Sequence, residues 1–147
     1  MWKLDASERL VHWRAFRLTL GNMTLEDAIQ ATVDYWQNCP HNPYYLDPID
    51  PDSWPSAWDL ISENYYCDIA KALGMMYTIA FSAHGHNLPM NLCVYYDPET
   101  GYEYNLSVFA EGKYVINLLD GQIVNIDLVN KKFKLKHCYD SAKLKLQ

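Results

Sequence analysis

The sequence predicts an α+β protein in which helices gather on one side of an antiparallel sheet. Three observations predict it. Apolar residues recur at helical spacing in the first third, as in Leu25, Ile29, Val33 and Trp36. A polar break at Ser62-Glu63-Asn64 precedes a second helical stretch that starts at Cys67. After that stretch, short β-branched and aromatic runs alternate with turn residues and leave no room for helices, which calls for antiparallel pairing.

Ser7 is a candidate cap for a first helix running to about Leu20, with Leu10, Trp13 and Phe16 at spacings of three and Gly21 as the stop. Thr24-Leu25-Glu26-Asp27 approximates a capping box and opens a second helix, so the two form a helical hairpin. From Cys39 to Pro55 five prolines interrupt any periodic structure, yet Tyr44, Tyr45, Leu46, Ile49 and Trp54 lie among them. That many large apolar groups suit an ordered, packed wrap, with Asp47, Asp50 and Asp52 facing solvent. The next helix carries Cys67 in its first turn and closes at Gly74. Strands are then expected at Met75 to Ser82, Asn91 to Tyr96, Tyr102 to Phe109, Tyr114 to Leu118, Gln122 to Leu128 and Lys132 to His137, a β-meander with Asp120-Gly121 as its best two-residue turn. The whole of 1–147 reads as one domain: 1–52 a helical hairpin with a Pro-rich wrap, 53–147 a helix and an antiparallel sheet.

With 147 residues, the chain is large enough to bury a core without staples. Eighteen acidic against twelve basic residues, a net charge of −6, argue against a nucleic-acid partner, because phosphate binding needs clustered Lys and Arg. The C-terminal lysines from Lys131 to Lys145 alternate along a strand and tail, as on an edge that resists further pairing. No apolar stretch is long enough for a membrane span or an export signal, so a soluble, cytoplasmic protein is expected. Cys39, Cys67, Cys93 and Cys138 include no Cys-x-x-Cys pair, so the sequence signals neither zinc nor a redox pair, and all four are expected as reduced thiols. The aspartates at 47, 50 and 52 lack the Gly and distal Glu of a calcium loop. No cofactor is implied.

Cys67 is the candidate for chemistry. Unpaired amides and the positive end of a helix dipole stabilise a thiolate, so this position suits a nucleophile as well as a small buried side chain. Trp54-Pro55, Asp59-Leu60-Ile61, Cys67-Asp68-Ile69-Ala70 and Leu73-Gly74, followed by a strand, resemble the core of transglutaminase-like (papain-fold) cysteine peptidases, especially compact bacterial and phage-encoded versions. The resemblance covers roughly residues 53 to 120. It implies a cysteine helix packed on an antiparallel sheet, with a histidine on the next strand and an aspartate or asparagine on the one after. Here those positions fall near Asn91 and Asn117, and Asn91 cannot act as a base. His86, or His84, from the loop before that strand is the replacement, with Asn117, Asp97 or Asp120 to orient it. His12, His41 and His137 stand alone in the sequence and read as structural or surface groups.

Two functions follow. The degenerate base position favours a small interaction or assembly protein on a peptidase-like fold, a phage virion component being one form of it, with a protein partner or further copies of itself. The alternative is a cysteine peptidase or acyltransferase with Cys67 as nucleophile, His86 as base and Asn117 behind it. For the interaction reading, Tyr44, Tyr45 and Leu46 are the candidate contact, held extended by Pro43 and Pro48.

Overall fold

In the computed structural model, which describes residues 1–43 and 46–140, five helices and four strands form the expected α+β fold. The helices are α1 (Ala6–Thr19), α2 (Leu25–Trp36), α3 (Ala57–Glu63), α4 (Asp68–Ala80) and α5 (Ile126–Lys132); the strands are β1 (Met90–Tyr96), β2 (Glu103–Phe109), β3 (Tyr114–Ile116) and β4 (Lys134–Asp140). The sheet is antiparallel throughout, in the order β3-β2-β1-β4. β1 to β3 form a meander, whereas β4 crosses over to pair with the free side of β1.

The caps explain the N-terminal half. Asp5, rather than Ser7, caps α1 by accepting from the Glu8 amide, and Thr24 caps α2 by accepting from the Asp27 amide as its capping-box sequence predicts. The α3 helix ends at Asn64 in the left-handed conformation. Arg9, almost fully buried, donates from Nε to the Ile61 carbonyl at 2.9 Å and from a terminal nitrogen to the Ser62 carbonyl at 2.6 Å. A cation there meets the negative end of α3 and ties α1 to it.

The helix α4 differs most from expectation. Gly74 does not end it, and Met75 to Ala80, expected as a strand, continue it. Residues 72 to 79 are all buried, and an apolar run buried on every side carries no period by which to tell helix from strand. Gly74 serves as a seat: a Cβ there would lie 2.2 Å from Cη2 of Trp36. One turn on, Thr78 Oγ1 accepts from the indole N–H of both Trp13 and Trp36, each at 3.0 Å, and donates to the Gly74 carbonyl at 2.7 Å. All three side chains are completely buried.

Two further expectations change in the C-terminal part. Residues 122–128, expected as a strand, contribute only the bridge Val115↔Val124 before Asn125 caps α5 by accepting from the Asp127 amide. Cys93 and Cys138, expected as separate thiols, are cross-strand partners of β1 and β4 and form a disulfide, with Cα atoms 4.1 Å apart. Cys39 and Cys67 are free.

The Thr78 arrangement makes a stability prediction. Thr78→Val keeps the shape but leaves two buried indole donors without an acceptor, so unfolding free energy falls by about 3 kcal/mol. Thr78→Ser retains the acceptor and loses less than half of that. Urea unfolding of the three proteins, monitored by tryptophan fluorescence, measures the difference.

Candidate active site: the Cys67 cleft

Cys67 is the N-cap residue of α4, one position before its first turn, and only 5% exposed. Its carbonyl accepts from the Lys71 amide, while its side chain makes no capping bond. Cys67 lines a cleft of about 750 Å³ together with His41, Leu46, Asp47, Asp68 and Asn105.

The Pro-rich wrap forms one wall of this cleft. His41 bridges to Tyr66, the residue before Cys67, and the Asn42 amide donates to the Tyr66 carbonyl at 3.0 Å. These bonds hold the His41 backbone alongside the cysteine. Tyr66 is itself buried and donates from its hydroxyl to the Leu60 carbonyl. Farther along, Tyr139 of β4 donates to the Pro48 carbonyl at 2.9 Å, which pins the wrap to the sheet.

The opposite wall is the sheet. Asn105 of β2 is 9% exposed, and its Oδ1 has no hydrogen-bond partner among the described residues. The Asn117 amide donates to the Asn105 carbonyl at 2.8 Å and to the Asp68 carbonyl at 3.2 Å, joining the strand to the first turn of α4. Asn117 achieves this from a left-handed backbone with φ 76°, a conformation asparagine tolerates better than most residues.

Of the residues expected at the site, Cys67 lies at the N-terminal end of α4, and Asn117 bonds to the carbonyl of the next residue, Asp68, without lining the Cys67 cleft. His86 does not join them. It follows the turn Ala83–Gly85 beyond the other end of that helix, and thirteen residues at about 1.5 Å each separate the two ends by about 20 Å. His84 is also remote, with Nε2 2.8 Å from the Leu20 carbonyl. Asp97 is used in the β1–β2 turn, accepting from the Glu99 amide. Asn91 pairs on β1 with Val108 and Asp140. With residues 75–80 helical, the strand count shifts by one, and the strand position that reaches the cysteine is Asn105.

His41 and Asn105 line the cleft although the sequence placed neither there; Tyr66, the backbone partner of His41, lies 25 positions on. Leu46 lines the cleft, whereas Tyr44 and Tyr45 lie outside the described residues. No three His, Cys, Asp or Glu side chains converge as a metal-ligand group among the described residues. No described helix is long and apolar enough to cross a membrane.

A cysteine opening a helix that packs on an antiparallel sheet, with the sheet supplying the facing wall, is the transglutaminase-like fold. Solved structures of LapG from Legionella pneumophila share it. The calcium-bound form superposes with a TM-score of 0.70 at 13% identity, covering 95% of this chain and 78% of LapG. The EGTA-treated form gives 0.67 at 12% identity, covering 95% and 79%. At such identity the likeness is one of fold. No family model and no curated protein matches the sequence.

Burial pushes the Cys39 thiol up to about 11, with Lys71 opposing the shift, and burial also raises the Tyr35 and Tyr66 phenols. Above about pH 9 the unfolded thiol ionises while the folded one keeps its proton, so the native state binds more protons and stability falls as pH rises. Thermal melts should therefore hold steady to about pH 9 and decline between there and about pH 11. Alkylation of Cys39 should remain slow until the same range.

Proposed function

We propose that the Cys67 cleft carries out cysteine-dependent acyl chemistry, hydrolysis or transfer of a peptide-type acyl group, with His41 rather than His86 as the base. The observation behind this reading is that Cys67, the N-cap residue of a helix, and His41, whose backbone the Tyr66 bonds hold alongside, line one cleft. The sulfur attacks the acyl carbonyl as its proton passes to the imidazole, and the leaving amine departs with that proton. A thioester remains, and water or a second amine then displaces the thiol. The N-terminal end of α4 presents its unpaired backbone amides at the cysteine position. The fold shared with LapG supports the same class of chemistry.

A second reading, binding without turnover, is favoured by Asn105. The strand position facing the cysteine carries an amide, which cannot take up a proton at neutral pH. On this reading the chain is a small interaction or assembly protein, and the cleft holds a protein segment.

Iodoacetamide at pH 6 separates the two. Acyl chemistry requires Cys67 to be alkylated well ahead of Cys39, at a rate that falls at least tenfold in His41→Ala. The binding reading requires wild-type Cys67 to be as slow as an ordinary thiol, and only an Asn105→His variant to become reactive at that pH. Fast labelling unaffected by His41→Ala would remove His41 from the mechanism.

A further inference from the structure

A groove outside the cleft has a complement elsewhere on the same chain. Leu10, Val11, Arg14 and Arg17 of α1 and Trp58 of α3 enclose about 480 Å³. Val11 is 71% exposed and Trp58 40%. Its two arginines have no carboxylate partner: the one ion pair among the described residues is Lys136–Glu103. Arg17 lies over the rings of Trp13 and Trp58 at 4.1 and 5.4 Å from their centroids, with Nε buried and unbonded among the described residues. Burial, and Arg14 beside it, push its guanidinium below the ordinary arginine range.

The complement is the turn at Ile49. Ile49 is 66% exposed, in the sequence Asp47-Pro48-Ile49-Asp50-Pro51-Asp52, and both Asp50 and Asp52 are exposed. Bonds within the turn hold it in shape. The Ile49 amide donates to the Asp47 carboxylate at 3.0 Å, the Ser53 hydroxyl to the Asp50 carbonyl at 2.8 Å and the Trp54 indole to the Asp47 carbonyl at 2.8 Å. A rigid apolar tip flanked by acids loses little entropy on docking. None of its residues lines the groove.

We propose that the Ile49 turn of one copy docks into the α1–α3 groove of a second, with Ile49 against Val11 and Trp58 and with Asp50 and Asp52 against Arg14 and Arg17. Two different patches of one chain make a heterologous contact, which propagates head to tail into a ring or an open filament. The inference does not depend on the chemistry at Cys67.

Sedimentation of the full chain over a range of concentrations at low salt tests it. Mass should rise with concentration, and the rise should weaken at about 1 M salt, where the screening length is about 3 Å. Arg14→Asp and Asp50→Arg, both at exposed positions, should each weaken association at least tenfold, and the double variant should recover most of that loss. A wild-type chain that stays monomeric overturns the proposal. So does association that ignores both reversals, or that responds to Arg14→Asp but not to Asp50→Arg; the latter pattern marks self-pairing of the α1 face instead.

Discussion

The shared acceptor at Thr78 is the constraint on which the rest of the molecule depends. One hydroxyl oxygen satisfies two buried indole donors, one from α1 and one from α2, while its own proton returns to the backbone of α4. Buried donors are costly when unpaired, so the two N-terminal helices dock where their tryptophans reach this oxygen. Gly74, one turn earlier, supplies the space that lets the Trp36 ring approach. On the other face of α4, Ser107 of β2 donates to the Ala72 carbonyl at 2.6 Å. Clamped on both faces, α4 can neither rotate nor slide, and Cys67 is fixed against the sheet.

The class of fold was legible because binary patterning survives in the outer elements. α2 shows a clear stripe, and the turn signal at Asp97 to Gly101 separates β1 from β2. The central helix was less legible for a reason tied to its role. An element packed on all sides has no polar face to set a period, and Gly74, which usually ends helices, is here a contact surface for Trp36. α5 escaped because Val124, Ile126 and Leu128 alternate like a strand, while the Asn125 cap that starts the helix sits among them. The expected strand at 75–82 then displaced the strand count, and with it the assignment of the base position.

The site divides along the same line. Cys67 was legible as the residue that opens a helix because a polar break before a helix is a local signal, while Asn117 entered only as what the family resemblance implies and lines a neighbouring hollow rather than the Cys67 cleft. His41 and Asn105 were not, since each reaches the cleft through pairing that sequence spacing does not encode: a backbone bridge across the wrap for one, strand register for the other. The imidazole and the amide oppose each other as functional signals. An imidazole can accept a proton, whereas an amide is a hydrogen-bond group that cannot change charge. Their coexistence in one cleft is why thiol reactivity, rather than fold, separates catalysis from binding here.

The wrap connects these properties to the surface. Leu46, Asp47 and Pro48 line the cleft, and within a few residues Ile49, Asp50 and Asp52 face solvent. One short turn, held by its own hydrogen bonds and by Tyr139 and Trp54, therefore has an inner and an outer face. Whatever grips the outer face restrains the inner one, because the bonds from Asp47 to Ile49 and Trp54 leave the turn no independent hinge. His41, also in the wrap, is anchored separately through Tyr66, on the far side of residues 43–46. The Ile49 turn and the Asp47 wall of the cleft therefore form one hydrogen-bonded unit, whereas the His41 backbone is held separately through Tyr66.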